Sequence, residues 1–292
     1  MAAQNESWRS EALGPARMLE LAGGRTRAHL TGEGPPIVFA HGVFVNANLW
    51  RKVVPRLDGY TRVTLDLPLG SHLEPMPDAD LSPPGLASMI ADAIEALDLE
   101  DVTIVGNDTG GALTQIMAVR RPERVARVVL TSCDAFDNFP PRFFRAVLAP
   151  ARIPGLIPVA FGGLRARPLR RLPIAYGWLS NEPIEPQAED SYVLPVLGRR
   201  GIRRDVRRVL AGLDSSYTLD AAARLTAFRK PVLIAWSTED RFFPTEHAER
   251  LAKVVPEARL EWIEGARTFS PEDRPERLAE LIGSFVGAPA AA

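Results

Sequence analysis

The chain has 292 residues, 46% hydrophobic and 24% charged, the balance of an ordinary globular protein with ample material for a core. Its formal charge of −1 gives no reason to expect nucleic acid or an acidic membrane as partner, and no run approaches the roughly 18 consecutive apolar residues of a membrane span. One cysteine, Cys133, excludes an internal disulfide and fits a reducing, cytoplasmic compartment, while residues 1–17 lack the apolar block of a secretory leader.

Residues 17–31 read as an opening hairpin that turns at Gly23-Gly24. Ile37-Val38-Phe39-Ala40 reads as a buried strand ending at His41-Gly42. A helix is expected over 49–57, stopped by Asp58-Gly59, and then a strand over 62–65 running into Asp66-Leu67-Pro68. Leu86, Met89, Ile90, Ile94 and Leu97 recur at helical spacing and predict a helix over 85–97. A strand over 102–105, a helix over 109–120 and a strand over 127–130 follow. The alternation breaks between 135 and 213, where ten prolines predict short helices and loops. It resumes with a strand over 231–236, a helix over 245–254, a strand over 259–263 and a helix over 275–286. Short apolar strands alternating with amphipathic helices predict an α/β fold: a mostly parallel sheet flanked by helices. The core is expected over 1–134 and 214–292. The helical insert at 135–213 is placed as a lid above the crevice at the carboxyl edge of the strands. The tail Ala288-Pro289-Ala290-Ala291-Ala292 is expected to fray.

The segment Val105-Gly106-Asn107-Asp108-Thr109-Gly110-Gly111 has the pattern of a strand-to-helix nucleophile elbow, with Asp108 where most such enzymes carry serine. Gly106 and Gly110 are expected to let the backbone turn sharply, leaving Asp108 at strained angles with its side chain in a cleft. Amides at the start of the next helix, beginning with that of Thr109, then face developing negative charge. A carboxylate in this seat forms an ester on carbon, whereas serine forms an acyl-enzyme.

Taken together the motifs resemble the α/β-hydrolase fold superfamily over residues 30–286. They are His41-Gly42 with Asn46 and Leu49-Trp50; Asp66-Leu67-Pro68; the elbow; Trp236-Ser237-Thr238-Glu239-Asp240 with Phe243-Pro244; and Pro275-Glu276-Arg277-Leu278-Ala279. The aspartate in the elbow is similar to the epoxide hydrolase and haloalkane dehalogenase branch. The resemblance implies that Asp240 is the triad acid and that Val43 and Thr109 donate oxyanion-hole amides. It also implies that lid residues of the set Tyr176, Trp178 and Tyr192 reach the substrate, tyrosines donating to an epoxide oxygen. Asn107 and Thr268 complete the expected substrate contacts, and Phe139, Phe143 and Phe144 read as core or pocket wall.

Three departures from the family pattern stand out. Haloalkane dehalogenases carry Trp after the nucleophile and Asn two residues beyond the His-Gly histidine; here those positions are Thr109 and Val43, so two halide donors are absent. Fluoroacetate-type dehalogenases carry Arg where Thr109 stands. The stretch Ile263-Glu264-Gly265-Ala266-Arg267-Thr268-Phe269 aligns without a gap and puts Thr268 where the family has its catalytic histidine. Of the four histidines, His29 reads as a sheet residue, His41 as the brace of the oxyanion loop and His247 as solvent-facing. His72, in the loop after a strand, is the candidate displaced base. Asp134 follows a strand end that faces the pocket in this fold, and reads either as a further acid or as a loop hydrogen-bonder. Asp108, Asp134 and Asp240 in one cleft would not all ionise easily, so at least one pKa should rise.

In the insert, Arg199, Arg203 and Arg207, with Arg200, Arg204 and Arg208, form the polar face of an amphipathic helix whose other face is Ile202, Val206, Val209 and Leu210. That face reads either as a solvated basic surface or as an attractor for an anionic substrate or acidic partner. Three functions remain open: an epoxide hydrolase-like enzyme acting through Asp108 on a small or medium apolar substrate; a cofactor-independent lyase, isomerase or cyclase using Asp108 and Asp240 as acid and base; and a non-catalytic ligand-binding protein. No cofactor or metal is expected. The expected partner is a small-molecule substrate, with no nucleic acid and no membrane, and a homodimer is left open.

Overall fold

A hairpin of β1 (Ala16–Leu21) and β2 (Gly24–Thr31) opens the fold. It is followed by β3 (Pro36–Ala40), β4 (Thr61–Leu65), β5 (Val102–Asp108), β6 (Val125–Cys133), β7 (Val232–Ser237) and β8 (Ala258–Ile263). In the computed structural model, which describes residues 6–287, these form one eight-stranded sheet in the order β1-β2-β4-β3-β5-β6-β7-β8. The pairs β1–β2 and β2–β4 are antiparallel, and the six strands from β4 to β8 run parallel. Every residue of β7 is buried, as expected of a strand covered on both faces. The tail expected to fray, 288–292, lies outside the described residues.

Helix α1 (Pro83–Ala96) begins two residues earlier than its apolar spacing predicts, because Pro83 and Pro84 suit a first turn and the Ser82 hydroxyl caps the Gly85 amide. It packs on α2 (Thr109–Arg120), which starts directly where β5 ends. The helix expected over 49–57 is instead two 3-10 turns, Ala47–Trp50 and Val54–Arg56. Pro55 has no amide to give to a helical ladder, and Val53-Val54 adds two β-branched residues in succession.

The parallel strands deliver their loops to one edge of the sheet, so Gly42, Asp108, Asp134, Asp240 and Thr268 all follow strand ends. Between β6 and the next core helix the chain forms α3 (Arg142–Val147), α4 (Ile157–Phe161), α5 (Pro186–Gly198) and α6 (Arg200–Gly212), with 3-10 turns at Ala149–Arg152, Gly162–Arg165 and Arg167–Arg171. Prolines 150, 154, 158, 168 and 173 keep the first half of this insert in short pieces. The core then resumes with α7 (Ser215–Leu225), a helix not singled out from the sequence, whose buried face is Thr218, Ala221, Ala222 and Leu225. It packs on α2. Helices α8 (Thr245–Val254), α9 (Ser270–Asp273) and α10 (Pro275–Gly287) complete the chain.

Helix α6 buries Ile202, Val206, Val209 and Leu210, as its pattern predicts. Arg208 on this helix and Arg199 just before it reach carbonyls of the core. Arg208 donates to Pro77 O at 2.8 Å and Ala79 O at 2.6 Å, and Arg199 to Leu73 O at 2.8 Å. The fully buried Asp205 accepts from the Met76 amide at 2.7 Å and from His72 Nε2 at 3.4 Å, and pairs with Arg204 at 2.9 Å. The insert is therefore bolted to the 72–79 loop through charge-assisted bonds, of which those Asp205 accepts from Met76 and His72 are buried. Replacing Asp205 by Ala leaves the Met76 amide and the His72 ring without their acceptor. Asp205→Ala is expected to lose about 3 kcal/mol of stability in denaturant unfolding, with the core's secondary structure retained in the circular dichroism spectrum.

Candidate active site

The strand-to-helix turn places Asp108 at φ 54°, ψ −131°, a left-handed φ for a residue with a side chain. Such a conformation costs on the order of 1–3 kcal/mol and persists only where its surroundings over-determine it. Gly106 and Gly110 do not share the strain: neither has positive φ. They are needed for space. A Cβ on Gly110 would lie 2.3 Å from Ala40 O, and one on Gly106 would lie 2.7 Å from the Gly111 Cα. The same holds across the gap, where a Cβ on Gly42 would lie 1.9 Å from Asp108 Oδ2. The carboxylate thus rests on bare backbone of the His41-Gly42-Val43 loop and accepts the Thr109 amide.

His41 fixes that loop. Its Nδ1 donates to Gly42 O at 2.8 Å while Nε2 accepts the Leu67 amide at 3.0 Å. The bond accepted at Nε2 needs the neutral ring, and burial depresses its pKa to about 4. Phe44, at φ 58°, continues the loop and accepts the Tyr176 hydroxyl on its carbonyl at 2.8 Å, tying the insert to it. No sequence pattern announced this contact.

Asp108, Thr109 and Asp134 form the floor of a cavity of about 890 Å³, mouth included, between core and insert. Its walls are apolar, with Phe44, Phe144, Phe161, Leu164, Val196 and Leu213 among them, and Val43 at the side of Asp108. No Lys, Arg or His lines it. Thr109 bridges the two acids: its amide serves Asp108 and its hydroxyl donates to Asp134 Oδ2 at 3.2 Å. Asp134 Oδ1 is buried with no hydrogen-bond partner among the described residues. Gln115 holds the Asp134 carbonyl at 2.9 Å.

Asp240 and Thr268 stand behind this floor and do not line the cavity. Asp240 Oδ1 accepts from the Phe242 amide at 2.8 Å, the Phe243 amide at 2.9 Å and the Thr268 hydroxyl at 3.1 Å. Thr268, fully buried, is therefore a carboxylate donor and not the substrate contact expected of it. Asn107 is a strap: its amide donates to Thr131 Oγ1 at 2.8 Å and to Thr268 O at 2.7 Å, joining β5 to the loop after β8 away from the cavity.

The insert's aromatic residues divide. Tyr176 and Tyr192 line the cavity; Trp178 does not, being packed 5.5 Å from the Phe143 ring with the Arg241 guanidinium over it at 5.2 Å. The Tyr176 hydroxyl is taken by Phe44. The Tyr192 hydroxyl is buried and has no partner among the described residues. Burial raises its pKa well above the usual phenol value, so it remains a proton donor.

None of the four histidines lines the cavity. His72, the candidate displaced base, is committed elsewhere: Nδ1 accepts the Gly70 amide at 3.3 Å and Nε2 faces Asp205. His247 does not face open solvent but stands half-buried with its ring 5.8 Å from that of Phe136. Among the described residues no three His, Cys, Asp or Glu side chains are placed to hold a metal ion together.

With no cation to compensate them, all three carboxylates are harder to ionise. Burial pushes Asp108 up to about 7, against the pull of the Thr109 amide and with help from the charge of Asp240. Burial likewise raises Asp240 to about 6, opposed by the Phe242 and Phe243 amides. Asp134 is raised well above the carboxylate range by burial and then by the charge of Asp108.

The family model for the alpha/beta hydrolase fold matches residues 35–275, and the chain belongs to that family. It is 27% identical over 270 residues to haloalkane dehalogenase 2 of Mycobacterium tuberculosis, covering 91% of this chain and 93% of that protein. It is also 27% identical over 280 residues to 2-hydroxymuconate semialdehyde hydrolase of Pseudomonas sp. strain CF600, covering 92% and 93%. Among solved structures, the haloalkane dehalogenase DatA from Agrobacterium tumefaciens C58 superposes with a TM-score of 0.78 at 22% identity, over 95% of this chain and 99% of that one. The protein is thus an α/β-hydrolase-fold enzyme related to haloalkane dehalogenases.

The raised pKa values predict a particular pH dependence of stability. Between the unfolded carboxyl pKa of about 3.9 and a folded value of about 7 for Asp108, the folded state binds more protons than the unfolded state. Stability contributed through this group is therefore present at low pH and lost as pH rises through that window. Asp108→Asn removes the dependence. The variant is expected to be more stable than the native chain by about 2–4 kcal/mol at pH 8, with the difference vanishing near pH 4, as read by denaturant titration at both pH values.

Proposed function

We propose that the protein is an epoxide hydrolase-like enzyme in which Asp108 attacks carbon. The observation that carries this reading is a strained carboxylate on the floor of an apolar cavity, backed by the Thr109 amide. An ionised Asp108 oxygen forms a bond to a ring carbon while the C–O bond breaks. The electron pair passes to the epoxide oxygen, which takes a proton from the Tyr192 hydroxyl. The other carboxylate oxygen keeps the Thr109 amide as the ester forms. Dehalogenation is less well served, since Val43 has no side-chain donor for a departing halide, the Thr109 hydroxyl is spent on Asp134, and the cavity lining contains no cation. In epoxide opening the leaving oxygen stays on the substrate and needs one proton only.

Ester hydrolysis is the weak step. A positioned general base contributes about 10²–10⁴-fold, and no imidazole stands beside Asp240. A second reading rests on the two acids that share the cavity. With Asp134 held protonated and Asp108 able to ionise near neutrality, the pair has the makings of an acid and a base for lyase or isomerase chemistry without an ester. A cytoplasmic setting is supported by the single, buried Cys133.

Incubation with a reactive terminal epoxide is expected to add the reagent's full mass to the protein. The rate of addition should rise with pH through about 7 as Asp108 ionises, and the adduct should be absent in Asp108→Asn. Thr268→His should shorten the adduct's lifetime by restoring a base next to Asp240. If no adduct forms but Asp108→Asn abolishes turnover, the acid–base reading replaces this one. Turnover indifferent to Asp108→Asn removes both.

A further inference from the structure

Residues 138–181 contain seven arginines and no lysine, aspartate or glutamate, inside a chain whose total charge is −1. The same stretch holds five of the seven large hydrophobic side chains that are exposed among the described residues: Ile153, Val159, Leu169, Leu172 and Ile174. Val159 is 78% exposed, Ile174 55% and Ile153 53%, values that a packed helical insert has no internal reason to leave uncovered. The turns that carry them pack on one another in sequence: Ala149–Arg152 on α4, α4 on Gly162–Arg165, and that turn on Arg167–Arg171. Arg142, Arg145, Arg152 and Arg171 are exposed beside them and make no ion pair among the described residues, whereas Arg170 is buried against Asp190. Ile174 also lines the cavity, so the apolar surface continues into the mouth of the site.

We propose that this outer face of the insert docks on an anionic lipid surface, with Ile153, Val159, Leu172 and Ile174 entering the interface and the arginines meeting lipid headgroups. An acidic protein would be drawn by the arginines alone; it gives no role to isolated aliphatic side chains on short turns around a cavity mouth. A bilayer answers to both, and it is where an apolar substrate for an apolar cavity is concentrated. The expectation of no membrane partner follows from the whole-chain charge, which averages this segment against an acidic remainder. Among the described residues no helix is long and apolar enough to cross a membrane, so the contact is peripheral. The delivery role rests on the cavity being the reaction site; the docking itself does not.

The test is sedimentation of the full chain with phosphatidylcholine vesicles, with and without phosphatidylglycerol. Binding is expected only with the anionic lipid, and is expected to fall steeply at about 1 M salt, where screening shortens to about 3 Å. Arg152→Gln with Arg171→Gln should weaken partitioning by about 25-fold, at about 5-fold for each charge. Val159→Ser with Ile153→Ser should weaken it while leaving the thermal midpoint and epoxide adduct formation unchanged. No binding to either vesicle overturns the proposal, as does equal binding to both, or binding that neither pair of substitutions reduces. Sedimentation velocity showing a dimer that Val159→Ser dissociates would also overturn it, because a second copy would then cover the face. Asp108→Asn should sediment with vesicles like the native chain. Failure of the docking thus leaves the Asp108 chemistry standing, and failure of the adduct leaves the docking standing.

Discussion

A carboxylate seated on bare backbone, with no cation beside it, is the constraint on which the rest of the molecule depends. Asp108 is held at positive φ against Gly42, and every neighbour is arranged to keep it there. The pairing of Ala40 with Gly106 sets β3 and β5 in the register that brings the Gly42 loop alongside. His41 stiffens that loop only while it is neutral, and burial keeps it so. The strain and the desolvation both work against stability, and the sheet that surrounds them supplies the compensation.

Thr268, standing where the family resemblance expects a histidine, bears on charge as well as on the supply of a base. A histidine between Asp240 and the cavity could take a proton and hold a positive charge next to both carboxylates, favouring their ionised forms. Thr268 keeps the hydrogen bond to Asp240 but cannot carry charge. Burial then raises the pKa values of all three acids, with the charge of Asp240 adding to the rise of Asp108 and the charge of Asp108 to that of Asp134. An aspartate poised near neutrality is a weaker nucleophile and a better proton carrier than a fully ionised one. On the reading proposed above, the residue that slows ester hydrolysis also makes acid–base chemistry more accessible.

The core was legible in the sequence because its signals are local. Continuous apolar strands, helical spacing in 85–97 and the Gly-rich elbow each report on a few adjacent residues, and the strands and helices they indicate are found where expected. The helix over 49–57 was misread because apolar content was weighed there without Pro55. At the site, Asp108, Thr109, Asp134, Tyr176 and Tyr192 come together at one cavity, since strand ends and insert face it by topology. Asn107, Thr268, Trp178 and His72 do not. Their roles depend on which partner each side chain finds across the fold: Thr268 O for Asn107, Asp240 for Thr268, Phe143 for Trp178 and Asp205 for His72. Spacing along the chain carries no information about such pairings. The positive φ of Phe44, and its carbonyl's bond to Tyr176, were equally out of reach.

The insert shows how one composition serves two ends. Arg208 on α6 and Arg199 just before it end on carbonyls of the 72–79 loop, and Arg203 ends on Leu197 O, so that part of the basic face is internal bracing. Arginines between 138 and 181 have, with the exceptions of Arg165, Arg167 and Arg170, no comparable anchors. The difference follows from geometry. Helix α6 lies along the 72–79 loop, which puts carbonyls within reach of Arg208, whereas Arg142, Arg145, Arg152 and Arg171 stand exposed on short proline-broken stretches. Those turns nevertheless supply Ile157, Phe161, Leu164 and Ile174 to the cavity wall. The outer face and the lining of the site are thus two sides of one layer, which Tyr176 ties to Phe44 in the loop beside Asp108.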